Sequence, residues 1–142
     1  MIRRILVALD DTAIASRVLE TATEVAERFD ARMFLFRAVM VPQEFPAAAA
    51  NAAPRDALAD VMAAEAMKGL SMLAAGNPRA IIEAPVVGRG DPWRAIVEAG
   101  DRLDVDLTVV GSHLYHWPDR ILGTVAANLA NRGHRNVLIV RA

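Results

Sequence analysis

The chain alternates short, continuous apolar runs with stretches in which apolar residues recur every three or four positions. A continuous run is typical of a strand covered on both faces, and the wider spacing is typical of one face of a helix. The runs predict five strands, at residues 5–9, 33–39, 81–87, 107–110 and 137–140. Because strand and helix patterns alternate along the whole chain, the sequence predicts an α/β domain.

Four helices are predicted between the strands, and their apolar positions indicate which faces are buried. The two clearest patterns are Ile14, Val18, Ala22, Val25 and Phe29 in the first helix, and Leu58, Met62, Ala66, Leu70 and Leu73 in the second. Asp11 or Thr12 can cap the first helix. On the second helix we expect Met62, Met67 and Met72 to fill core space rather than to form a binding surface.

Proline and glycine mark the boundaries of the remaining segments. Residues 40–54 contain three prolines and no periodicity, so they predict a long loop. The sequence at 90–92, Gly-Asp-Pro, opens the third helix with proline in its first turn. Gly133 ends the fourth helix, which contains Val125 and Leu129.

The order of the strands follows from this alternation. Right-handed crossovers give a doubly wound parallel sheet with the order 3-2-1-4-5 and helices on both faces, in a single domain over residues 1–142. Glu83 and Pro85 place the third strand at one edge, because proline cannot donate to a ladder. The last strand, 136–141, lies at the other edge. Its apolar core predicts antiparallel pairing with a second copy in a homodimer.

The composition excludes several classes of protein. The 142 residues are enough for one domain with a sizeable core, and the net charge of −1 argues against nucleic acid or a membrane as partner. The absence of cysteine excludes disulfides, thiol catalysis and zinc–thiolate sites. The run at 5–9 is too short for a signal peptide, and no run approaches the ~20 apolar residues of a membrane span. We therefore expect a soluble cytoplasmic protein.

A ligand site is predicted where the winding of the sheet reverses, between the first and fourth strands. The loop after the first strand offers the carboxylate of Asp10, which can accept hydrogen bonds from ribose hydroxyls. The loop after the fourth strand and the helix start that follows can hold phosphate on backbone N–H groups. These two segments supply Gly111, Ser112, His113, Gly123 and Thr124. The arrangement predicts a nucleotide site.

Several of these residues also have a purely structural interpretation. Asp10 can cap the first helix through its carboxylate. Gly111 can simply let the chain turn after the fourth strand. His113 and His116 have the spacing of a metal pair, but no third ligand type accompanies them in the sequence, so we expect solvated loop histidines and no metal site.

Five segments of the chain carry a shared pattern: ILVALD at 5–10, GDP at 90–92, DLTVVGSH at 106–113, LGTVA at 122–126 and NVLIVR at 136–141. In order and spacing they resemble the universal stress protein family across essentially the whole chain. That family includes members that bind ATP and members that do not. The resemblance therefore raises the question of which group this chain joins.

The resemblance implies a phosphate loop that departs from the pattern of the binding members. That pattern is Gly, two residues, Gly, about nine residues, Gly, then Ser or Thr; Gly111 matches its first glycine, and Gly123 with Thr124 its last pair. Leu114 stands at the middle glycine, with only eight residues between it and Gly123, and Trp117 stands where a small residue is common. These departures predict a weakened nucleotide site.

The resemblance also implies residues for the nucleoside. Asp10, preceded by Ala8 and Leu9, matches the acid that contacts adenosine, and the backbone of Ala38 and Val39 matches the segment that meets the adenine edge. Binding would involve ATP or AMP, with magnesium only together with ATP, and would come with a homodimer and no strong catalysis. Asp11 stands where many relatives have a small residue, and its charge disfavours a triphosphate.

Three hypotheses about function remain open at this point. The first is a homodimeric stress-response regulatory protein with a weakened ATP or AMP crevice and an unknown protein partner. The second is a dimeric protein-interaction module that binds no nucleotide. The third is a slow ATPase or nucleotidyl-transferring enzyme, against which the sequence offers no nucleophile–base pair and no carboxylate cluster for catalytic magnesium. We expect no enzyme.

Overall fold

The computed structural model describes residues 1–41, 53–112 and 123–141. Its strands are β1 (Arg4–Ala8), β2 (Arg32–Val39), β3 (Ile81–Ile82), β4 (Val86–Arg89), β5 (Leu107–Gly111) and β6 (Asn136–Val140). Its helices are α1 (Ala15–Phe29), α2 (Ala53–Ala75), α3 (Pro92–Arg102) and α4 (Thr124–Arg132). None of the helices in this part of the chain is long and apolar enough to cross a membrane.

The sheet is parallel and has the order β3-β2-β1-β5-β6, with β4 also paired to β2. This confirms the predicted doubly wound fold, but the third predicted strand, 81–87, is two strands. Ile81 and Ile82 pair with the start of β2, and β4 pairs with its end. Pro85 lies between them and has no N–H to donate, so the ladder is interrupted there.

Helices cover both faces of the sheet, because successive side chains along each strand point to opposite faces. On the face covered by α1 and α2, the core contains Ile5, Val7, Met33, Leu35, Val109, Val18, Ala22 and Leu70. On the face covered by α3 and α4, it contains Leu6, Phe34, Phe36, Val110, Ile96, Ala99 and Leu129. The central strands contribute to both cores, which explains why their runs are mostly apolar.

The buried face of α1 differs from the predicted one at both ends. The helix begins at Ala15 with Ile14 as N-cap, so neither Asp11 nor Thr12 caps it. Phe29, the last helical residue, is 47% exposed. The position that the apolar pattern missed is Thr23, which is fully buried. Its hydroxyl donates to the carbonyl of Leu19 at 2.8 Å and accepts a hydrogen bond from the Asn77 amide at 2.7 Å.

The predicted face of α2 is only partly buried. Ala66 and Leu70 lie in the core, but Leu73 is 38% exposed. The prediction that the methionines fill core space is wrong for Met67 and Met72, which are exposed. The predicted loop at 40–54 lies mostly outside the described residues, and its end is wrong because α2 already begins at Ala53.

Candidate functional site

A crevice of about 450 Å³ opens at the carboxyl ends of β1, β2 and β5, on the face of the sheet that α3 and α4 cover. It coincides with the point where the winding of the sheet reverses. The sequence-predicted residues that line it are Ala8, Leu9, Asp10, Ala38, Gly111 and Thr124. Segments that are 100 residues apart in the chain therefore meet at one cavity.

Three predicted site residues are not among those that line the crevice. Val39 is buried in β2, and its carbonyl already accepts the N–H of Gly90 at 3.0 Å. Gly123 is the N-cap of α4, one residue before the lining Thr124. Ser112 is buried directly after β5, and its hydroxyl has no hydrogen-bond partner in the described part of the chain. His113 lies outside the described residues.

Asp10 organises the loop between β1 and α1 rather than capping the helix. Its Oδ1 accepts hydrogen bonds from the Thr12 backbone N–H at 2.9 Å and from the Thr12 hydroxyl at 2.5 Å. This is the turn geometry in which an Asp side chain accepts from the backbone two residues later. Since α1 starts only at Ala15, the turn is separate from the helix. Asp10 thus fixes the shape of a loop that lines the crevice.

Gly111 lies where the end of β5 packs closely against the beginning of α1. It is the last residue of β5, where it pairs with Val140, and no positive φ is recorded for it. A Cβ at this position would lie 3.2 Å from Ile14 Cγ2 and 3.3 Å from Val18 Cγ2. The turn predicted after Gly111 would fall mostly outside the described residues. What the structure shows is that the glycine allows the beginning of α1 to approach the end of β5.

The start of α4 forms a polar side of the crevice. Thr124 and Val125 line the cavity, and the Gly123 carbonyl accepts the first intrahelical bond, from Ala127 N–H at 2.9 Å. The first N–H groups of a helix have no partner within the helix, and the helix dipole favours negative charge there. The arrangement can therefore receive an anionic group beside the apolar wall formed by Phe36, Pro92, Ile96 and Val110.

The wall residues and one cation were missed in the sequence. Phe36 could have been found from strand alternation, since it shares a face with Ala38 two positions later. Arg37 is the cation; its Nη1 lies 2.8 Å from Oδ1 of Asp11, a second acid that lines the crevice. The available signal was a single charge inside the otherwise apolar segment 33–39.

Comparison with known proteins identifies the family. The profile of the Universal stress protein family matches residues 1–141. The chain belongs to this family. Comparison with curated protein sequences finds no match.

Solved structures of family members share the fold. Universal stress protein UspA from Lactobacillus plantarum is 22% identical, with a TM-score of 0.74 and coverage of 98% of this chain and 97% of that one. A universal stress protein in complex with cAMP is 26% identical, with a TM-score of 0.67 and coverage of 99% and 97%. A family protein from Arabidopsis thaliana with AMP bound is 18% identical, with a TM-score of 0.63 and coverage of 98% and 91%.

Proposed function

We propose that this family member is a stress-response regulatory protein that binds an adenine nucleotide, AMP or ATP, in the crevice. The observation that carries the proposal is the position and lining of the cavity. It lies at the reversal point of the sheet, with the Asp10 loop on one side and the start of α4 on the other. The structures of relatives with bound cAMP and AMP support the same ligand class.

The chemistry of the lining supports a nucleoside phosphate. The side chains of Phe36, Ala38 and Ile96 offer an apolar surface for a flat base. The carboxylate of Asp10 is an acceptor for ribose hydroxyls, and the beginning of α4 favours a phosphate. Base, sugar and phosphate thus each have a counterpart in one cavity.

We propose that the affinity is low, with a dissociation constant for ATP above roughly 10 µM, or about −7 kcal/mol. The support comes from the sequence, where Leu114 and Trp117 replace small residues in a shortened phosphate loop. That loop lies outside the described residues. Within the described chain, no group of three or more His, Asp and Glu residues could hold a metal ion. We propose that magnesium enters only together with ATP.

The test is calorimetric titration with AMP, magnesium ATP and adenosine, together with mass spectrometry of small molecules released from the denatured protein. We expect micromolar binding of AMP. Asp10→Ala should weaken AMP binding at least tenfold, since hydrogen bonds to a charged acceptor contribute about 1.5–3 kcal/mol. Glu65→Ala, which removes an exposed acid on α2, is the matched control and should bind as the parent does. Nanomolar binding of ATP would contradict the proposed low affinity. Absence of binding of AMP, ATP and adenosine would contradict nucleotide binding as the function.

We also propose a homodimer in which β6 pairs antiparallel with its own copy. In the described sheet β6 pairs with β5 alone, so its outer edge has free backbone groups. Val137, Leu138 and Ile139 are only partly buried in the single chain. A two-fold interface of this type buries on the order of 1,200–2,000 Å². The same edge would serve a protein-interaction module if nucleotide binding is absent.

The remaining parts of the proposal concern the class of activity and the class of partner. We propose action through binding to a protein partner rather than through catalysis, and neither nucleic acid nor a membrane as partner. The net charge of −1 supports the absence of a nucleic-acid or membrane partner. Incubation with magnesium ATP, followed by analysis for ADP, AMP and nucleotidylated protein, tests whether the protein acts without catalysis. Turnover would favour the slow-enzyme hypothesis.

A further inference from the structure

One cation stands at the carboxyl end of the apolar strand β2. Arg37 is flanked by Phe36 and Ala38, which both line the crevice. Because side chains alternate along a strand, Arg37 is directed to the opposite face, which α1 and α2 cover. A Cβ on Gly69 of α2 would lie 3.9 Å from its Nη1, which places the guanidinium beside that helix. The cation is therefore next to the crevice but behind its wall.

From that position the guanidinium contacts three consecutive residues of the loop after β1. Its Nη1 lies 2.8 Å from Oδ1 of Asp11, its Nε donates to the Leu9 carbonyl at 3.4 Å, and its Nη2 donates to the Asp10 carbonyl at 3.5 Å. The planar fork of an arginine presents several donors in a fixed geometry, so one side chain can hold several acceptors at once. The loop it holds is the one that lines the crevice.

The ion pair is asymmetric in its exposure. The Arg37 side chain is 19% exposed, whereas that of Asp11 is 90% exposed. Asp11 also lines the crevice, so its charge acts on whatever enters. A carboxylate repels a phosphate, and solvent screens part of that repulsion at a side chain as exposed as this one. A cation held 2.8 Å from the carboxylate reduces that repulsion.

We propose that Arg37 is a positioning residue of the crevice. It holds the Leu9–Asp11 backbone in place and offsets the charge of Asp11, so that the crevice accepts an anionic nucleoside phosphate rather than a neutral nucleoside only. This inference rests on the proposed nucleotide binding and specifies how the site tolerates negative charge. It modifies the sequence-based expectation that the charge of Asp11 disfavours a triphosphate.

The test compares AMP, an anion, with adenosine, its neutral counterpart, in calorimetric titrations of the parent and three variants. Arg37→Met should weaken AMP roughly threefold more than it weakens adenosine, because an exposed ion pair contributes little. Adding Asp11→Asn to Arg37→Met should restore the parent's ratio of AMP to adenosine affinity. Arg32→Met is the control, since Arg32 lies on the same strand and pairs with Glu83 at its far end.

Hydrogen exchange gives a second measurement that does not depend on a ligand. Backbone amides of residues 11–15 should exchange faster in Arg37→Met than in the parent and in Arg32→Met, because the loop has lost its anchor. An unchanged ratio of AMP to adenosine affinity in Arg37→Met overturns the charge role, and unchanged exchange overturns the anchoring role. If the parent binds neither ligand, the proposed function fails and the charge role fails with it, while the anchoring role is still decided by exchange.

Discussion

Asp106 joins the beginnings of β1 and β5 through its carboxylate. Its Oδ2 accepts the backbone N–H groups of Arg3 at 2.8 Å and Arg4 at 2.9 Å. The hydrogen bond from Arg3 is the main cause that lowers the pKa of this carboxyl below its ordinary value, against a smaller opposing effect of desolvation. The carboxylate form is therefore the one that the fold stabilises. Replacing Asp106 should measurably weaken this connection.

The magnitude follows from the two bonds and the partial exposure of the group. A hydrogen bond to a charged acceptor contributes about 1.5–3 kcal/mol when well shielded, and solvent reduces this at a half-buried site. We expect Asp106→Ala to lower the free energy of unfolding by about 2 kcal/mol at pH 7. For a domain of this size that corresponds to a fall in Tm of about 6 °C. Asp106→Asn keeps an oxygen acceptor without the charge and should lose about half as much.

The dependence on pH has a definite sign. Because the folded-state pKa of Asp106 is lowered, its contribution to stability is present above the unfolded pKa of about 4 and is lost as the pH falls through the folded value. Urea unfolding, followed by circular dichroism between pH 7 and pH 3, measures this. The difference in stability between the parent and Asp106→Asn should shrink toward low pH. A difference that stays constant, or an Ala variant as stable as the parent, refutes the reasoning.

Three further predictions concern the crevice and the sheet edge. Gly111→Ala should destabilise by about 1–2 kcal/mol in thermal unfolding, because its methyl group would crowd Ile14 and Val18, and Ile14→Ala in the same chain should recover part of this. Leu114→Gly combined with Trp117→Gly should strengthen ATP binding in calorimetry. If the ATP affinity of this double variant equals that of the parent, the short loop or Asp11 is what weakens ATP binding. Leu138→Pro should give monomer or aggregate in sedimentation and Leu138→Ala a dimer; a monomeric parent at high micromolar concentration contradicts the interface.

Strands were easier to predict than helix faces, and the reason is physical. A strand buried on both sides is mostly apolar, so its run is visible in the sequence, as at residues 5–7 of β1 and 107–110 of β5, the second of which is interrupted by Thr108 alone. Helix faces depend on what lies opposite them. Phe29 has the right spacing but is the last residue of α1, and the helix ends at Asp30, which adopts a left-handed conformation. Thr23 is polar, yet its partners at Leu19 and Asn77 allow it to be buried.

The crevice was predictable because topology places it, whereas its electrostatics were not. The reversal point of a doubly wound sheet fixes which loops meet, and that identified Asp10, Gly111 and Thr124. Why a particular residue occupies its place in the crevice could be seen only in the three-dimensional structure. Only the distance to α1 explains Gly111. Only the position of the Arg37 side chain, on the face of the sheet opposite the crevice, shows that Asp11 forms an ion pair.

The two outer edges of the sheet are built differently, and this limits how copies can polymerise. One edge is cut into the two-residue β3 and the four-residue β4, with Glu83 and Pro85 between them. The other, β6, is continuous, and its sequence NVLIV contains no charge. A sheet that could add neighbours at both edges would extend into a filament. If β6 pairs with its own copy as proposed, a sheet with one pairable edge would stop after that single addition, and growth would end at two copies.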